Sequence, residues 1–166
     1  MSGLRNRNLP GHRPMDMRSR LNEALKTAMK QKDATRLSTL RLVNAAIKDR
    51  DIALRGESDS AEVSDDDILA ILGKMVKQRQ ESARAYEEGG RLELAEKELA
   101  EVVIIKEFLP KQLSDDEVET AVAAAISEVG AESIRDMGRV MGALKAKFTG
   151  QMDFGKAGPM VKARLG

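Results

Sequence analysis

Apolar residues return every three or four positions along this chain, and no stretch alternates apolar with polar residues in the manner of a half-buried strand. At about 3.6 residues per turn, Leu40, Val43, Ile47 and Leu54 fall on one side of a helix. Ile68, Leu69, Ile71, Leu72, Met75 and Val76 give another a broad apolar side. Aromatic residues make up only 2% of the chain, with no Trp, so a core must be built from Leu, Ile, Val, Ala and nine Met. That palette favours helices over a sandwich or barrel. The reading is an all-α fold.

Helix punctuation divides the pattern. A first helix is predicted from Met17 to Gln31, with Leu21, Leu25, Ala28 and Met29 on its apolar face. Asp33 opens a second, from Ala34 to about Arg55, which Gly56 ends in left-handed geometry. Ser64 and Asp67 stand in capping-box spacing at the start of a third, which stops at Gly89-Gly90. A fourth runs from Arg91 to Phe108 before Pro110. These four predict an up-and-down bundle over residues 15–109, preceded by a flexible arm, 1–14. Residues 110–113 read as a linker. Ser114 and Glu117 form a second capping box, opening an Ala/Val helix that ends at Gly130. The next helix ends at Gly150, and Asp153 caps a last segment. Gly158-Pro159 is expected to interrupt that segment, with Pro159 opening a short terminal helix. Residues 114–166 are thus expected to form a smaller three-helix domain.

The composition removes several kinds of chemistry. There is no Cys and one His, His12, in the predicted arm. Thiol catalysis, disulfides, His/Cys zinc sites and a His-based triad in the folded part are therefore excluded. No P-loop, dinucleotide glycine fingerprint or serine elbow occurs. The carboxylates Asp65, Asp66 and Asp67 are consecutive, so on a helix they point apart and assemble no metal cage; helix-start electrostatics accounts for them. No catalytic residue, metal ligand or cofactor is expected. No apolar run reaches membrane-spanning length and no signal-peptide core is present. Residues 1–14 carry three arginines and no acid, and read as an extension or start-site artefact rather than a targeting signal. The expected setting is cytoplasmic.

Net charge is +1, but the charges are segregated. Residues 57–67 carry six acids and no base, whereas residues 137–166 carry six bases against Asp153 alone. Such asymmetry points to an anionic partner.

Within that basic tail lies MGRVMGALKAKFTG, residues 137–150. Met137, Val140, Met141, Leu144 and Phe148 line its apolar face. Beside them, Gly138, Gly142, Lys145 and Thr149 form a second stripe. Each helical glycine costs roughly 0.5–1 kcal/mol relative to alanine, so something must gain from bare backbone there. Either a neighbouring helix crosses closely, with Lys145 merely solvated, or a phosphodiester backbone approaches while Lys145 and Thr149 contact phosphates. With Arg139, Lys147, Lys156 and Lys162, the stripe makes the candidate RNA-binding set. Phe148 and Phe154 are the tail's only aromatics, so structured RNA suits it better than a single strand read by stacking. No DNA specificity is expected. Arg41, Asn44, Lys48 and Arg55 on the second helix, and Lys74, Lys77 and Arg79 on the third, are expected to pair with acids of adjacent helices.

The segments LRLVNAAIKDRDIA (40–53), KMVKQRQESARAYEEGGR (74–91) and FLPKQLS (108–114), with MGRVMGALK and GQMDFGKAGPMVKARL (150–165), resemble YqeY-like proteins. The resemblance implies a two-domain helical protein. It also implies a C-terminal domain related to the tail domain of the GatB component of aspartyl/glutamyl-tRNA amidotransferase, which helps hold tRNA while activation and amide transfer occur elsewhere. Gly158-Pro159 departs from the family's continuous closing helix. The function expected is a non-catalytic accessory binding tRNA or another structured RNA. A protein-interaction adaptor is the alternative. Carbon–nitrogen ligase activity would follow from family association alone, because fold kinship does not transfer a site.

Overall fold

The computed structural model describes residues 16–57 and 62–166. The predicted arm, 1–14, and the middle of the acidic stretch 57–67 lie outside the described residues. The described residues form seven α-helices and one short 3-10 turn, with no strand, so the all-α reading holds. The helices are α1 (Met17–Gln31), α2 (Ala34–Glu57), α3 (Asp65–Glu88), α4 (Leu92–Lys106), α5 (Asp115–Val129), α6 (Met137–Phe148) and α7 (Phe154–Leu165).

Side-chain caps fix most of the starts. Asp16 accepts from the Ser19 amide at α1. Ser64 with Asp67, and Ser114 with Glu117, close reciprocal capping boxes at α3 and α5. Asp153 accepts from the Gly155 amide at α7. The acidic run Asp65–Asp67 thus sits at a helix start, where negative charge is favourable. Gly130 ends α5 in left-handed geometry, at φ 65°.

Three local expectations are overturned. Gly56 does not end α2, which continues to Glu57. It is Lys32 that takes the left-handed position after α1, at φ 56°. Met29, read as part of the apolar face of α1, is 54% exposed. Gly158-Pro159 does not interrupt α7, which runs unbroken through both. Proline removes the amide that would bond the Gly155 carbonyl and crowds that carbonyl. Gly155 brings no side chain to the crowded turn, and buried Ala157, Gly158 and Val161 hold α7 against the core.

Two apolar clusters share no residue. The first joins α1 to α4, with Leu21, Leu40, Val43, Ile68, Leu72 and Ile105 fully buried. Phe108 closes one end, under the guanidinium groups of Arg20 and Arg36 at 5.5 and 5.9 Å from its ring centre. The second joins α5, α6 and α7 around Val122, Val140, Leu144, Ala157 and Val161. The connection between them is narrow. The Leu113 amide donates to the Gln151 carbonyl at 2.8 Å, and the Gln112 amide nitrogen donates to the Gly150 carbonyl at 2.5 Å. Gly150, at φ +78°, lies so near α3 that an added Cβ would stand 3.2 Å from the Leu69 Cβ and 3.4 Å from the Pro110 ring. The close approach that a glycine permits is therefore made by Gly150.

Candidate functional site

On α6, Val140 and Leu144 are buried, while Met137, Met141, Ala143 and Phe148 pack at the edge of the same cluster. The adjoining stripe faces away from it. Gly138 and Gly142 are exposed, and a Cβ added to either would meet nothing within 4 Å. No described helix crosses there, so packing among the described residues does not account for the two glycines. Lys145 is exposed and has no carboxylate partner among the described residues. Thr149, half-buried at the end of the stripe, donates its hydroxyl to the Lys145 carbonyl.

The other candidates separate. Arg139 donates to the Val129 carbonyl, so it satisfies an orphan acceptor at the end of α5. It also pairs with Asp136 at 3.3 Å. Asp136 accepts from the Glu132 and Ser133 amides at 2.9 and 3.4 Å. Those backbone bonds, first of all that from Glu132, hold its carboxyl below the usual carboxylate range. Lys147 pairs with Glu128 of α5 at 3.3 Å. Two positions apart on one helix, Lys145 and Lys147 project about 160° from each other. Lys156 and Lys162 are exposed on α7 without an ion-pair partner among the described residues; six positions apart, they diverge by about 120°. The eight residues therefore do not form one surface. Gly138, Gly142, Lys145 and Thr149 form a stripe; Arg139 and Lys147 fasten α6 to α5.

The stripe leads to something that spacing along the chain does not reveal. Thr149 and Lys156 help line a cleft of about 370 Å³ between α3, the end of α4 and the α6–α7 loop. Lys74, Lys77 and Lys106 line it as well. Four lysines thus face Asp153, the one carboxylate among the described lining residues, which holds Lys77 at 3.5 Å. The pairing expected for Lys74, Lys77 and Arg79 is found for Lys77 and for Arg79, which bonds Glu101 at 2.8 Å between α3 and α4. It is not found for Lys74 among the described residues.

A second, more polar groove of about 460 Å³ lies between α1 and α2, with Arg41, Asn44 and Lys48 on its wall. Here Arg18 takes Asp51, with both carboxylate oxygens at 2.6 and 2.7 Å. Contrary to expectation, Arg41 and Lys48 are left without a carboxylate partner among the described residues. No group of three or more His, Cys, Asp or Glu gathers among the described residues, and no helix there is long and apolar enough to cross a membrane.

A family model described as Yqey-like protein matches residues 18–165, which takes in every helix except the first residue of α1. The chain belongs to the Yqey-like family. Similar proteins include altered inheritance of mitochondria protein 41, mitochondrial, of Clavispora lusitaniae, 33% identical over 68% of this chain and 64% of that protein. Its namesake from Lachancea thermotolerans is 30% identical over 69% of this chain and 60% of its own length. An uncharacterized protein of Schizosaccharomyces pombe is 29% identical over 60% of this chain. The matched stretch spans less than two thirds of the two mitochondrial relatives. Their names overturn the cytoplasmic setting expected above. That expectation leaned on the absence of cysteine and of apolar segments, and a Yqey-like chain without thiols carries no mark of its compartment's redox state.

Proposed function

We propose that this Yqey-like chain is a non-catalytic accessory that binds tRNA or another structured RNA along α6. The observation that carries the proposal is the open backbone at Gly138 and Gly142 beside Lys145, which has no carboxylate partner among the described residues. Bare helix costs stability unless something outside the chain uses it, and a phosphodiester backbone needs close approach and positive charge. The family resemblance to a tRNA-holding tail domain supports the same reading. Lys156 extends the stripe into the cleft, and Lys162 lies on another side of α7. Arg139 and Lys147 are assigned to fastening α6 rather than to RNA.

The test is binding of transcribed tRNA to the full chain between about 50 and 200 mM salt, where each phosphate contact steepens the dependence, by about 0.9 on B-form DNA duplexes and less on single strands. Replacing Lys145 and Lys156 by Glu is expected to flatten that slope and weaken binding. Gly142→Leu should weaken binding while leaving the helical circular dichroism intact, because nothing lies within 4 Å of a Cβ there. Salt-independent affinity, or affinity untouched by these changes, refutes the proposal.

One observation favours an adaptor as second reading. Leu92, Leu99 and Val103, at seven- and four-residue spacing on α4, are 61%, 41% and 65% exposed. A protein partner recovered with the chain after nuclease treatment, and lost on Leu99→Glu, would establish it.

A further inference from the structure

We infer that the cleft between α3 and the α6–α7 loop is a binding site for a nucleoside phosphate, with its lysines on the phosphate and its apolar wall against the base. The site shares Thr149 and Lys156 with the end of the α6 stripe, but nucleotide binding in it does not depend on RNA binding along α6.

The chemistry of the cleft is divided. One part is apolar: Leu69, Ala70, Val76, Leu109, Met152 and Phe154 line it. Its volume, about 370 Å³, lies within the range of small-ligand sites, which are mostly apolar with a few placed polar groups. Gly73 adds no side chain, and a Cβ there would meet nothing within 4 Å, so the floor is open beside α3. The other part is cationic. Asp153 is already engaged, its Oδ1 accepting from the Gly155 amide at 2.8 Å and its Oδ2 lying 3.5 Å from the Lys77 ammonium. Lys74, Lys106 and Lys156 therefore face one cleft with no carboxylate partner among the described residues.

Like charges gathered at one concavity repel, and a bound anion reverses that cost. The start of α7 does not supply the anion site, because Asp153 already occupies its amides. Lysine ammonium groups act as mobile point charges suited to phosphate. An inorganic ion would leave the apolar wall unused, and a neutral nucleoside would leave the lysines unused. A nucleoside phosphate uses both, and the Gln80 amide on the lining can donate to and accept from a base edge. The nucleotide is either free or the unpaired end of an RNA.

The experiment is a titration of the ¹⁵N-labelled full chain with adenosine 5′-monophosphate, followed at the amides of Gly73, Gly150 and Gly155. Saturable shifts at these glycines are expected, with adenosine alone and inorganic phosphate alone each binding at least about tenfold more weakly, a difference of about 1.4 kcal/mol. The exposed pair Lys74→Gln/Lys106→Gln should weaken the nucleotide by a similar factor with the rest of the spectrum unchanged. Absent shifts at the three glycines, or equal binding by the double variant, overturn the inference. Competition assigns the source. Displacement by an RNA hairpin with an unpaired 3′ end, but not by a blunt one, identifies an RNA terminus; displacement by neither identifies a free nucleotide. Displacement by both reduces the cleft to a backbone-phosphate contact and overturns the assignment of a base site. Charge reversal at Lys145 alone weakens RNA binding in the proposed function yet leaves the nucleotide shifts in place, so the two proposals fail separately.

Discussion

At the scale of single residues, glycines with the same letter do opposite work. Gly150 sits at φ +78° with Leu69 and Pro110 at contact distance. Alanine there must accept left-handed geometry and displace a neighbour, so Gly150→Ala is expected to cost about 2 kcal/mol. Gly138→Ala and Gly142→Ala should instead each stabilise the chain by roughly 0.5–1 kcal/mol, since nothing obstructs a Cβ. Urea denaturation of the three variants checks both signs. Acid sensitivity is also set residue by residue. The Ser19 amide lowers the pKa of Asp16, the Arg18 guanidinium that of Asp51, the Ser114 amide that of Glu117 and the Glu132 amide that of Asp136. A carboxyl that ionises more readily when folded contributes stability above its unfolded pKa, about 4. That contribution is lost as pH falls through about 4 toward the lowered native values. The urea midpoint should therefore fall between pH 5 and pH 3, and Asp51→Asn should make the fall shallower.

At the scale of elements, starts are easier to read than ends. The capping boxes at Ser64 and Ser114 are legible because a hydroxyl and a carboxylate three residues apart satisfy each other's backbone within one turn. Gly56 misleads because a glycine can end a helix but does not compel it to end; α2 continues one residue beyond it. Pro159 misleads for a related reason. Its local cost, about 3 kcal/mol in an isolated helix, is outweighed by burial of α7 through Gly158 and through Ala157 and Val161 in the second cluster. Pro159→Ala is accordingly expected to raise the melting temperature, with a gain of up to about 3 kcal/mol. An unchanged or lowered stability would mean that the proline ring itself packs favourably.

At the scale of the whole molecule, two apolar clusters meet through a short connection carrying Pro110, Gln112 and Leu113. The division expected from the sequence, residues 15–109 and 114–166 about a linker at 110–113, becomes a prediction about cooperativity. If the clusters melt as separate units, Ser114→Ala should lower one calorimetric transition by about 1 kcal/mol and leave the other in place. Ser64→Ala should do the converse. A single transition shifted by both variants would show one cooperative unit.

The sequence by itself determined the helices and most of their caps, because helix period and capping are local and span three or four residues. It also marked a basic, glycine-bearing α6. Only the tertiary structure decided that nothing in the described chain covers Gly138 and Gly142, that Arg139 and Lys147 serve α5, and that Lys74, Lys106 and Lys156 face one cleft. Those lysines are separated along the chain by whole helices. Their convergence depends on how α3, α4 and α7 are placed in space, which no periodicity along a single helix encodes.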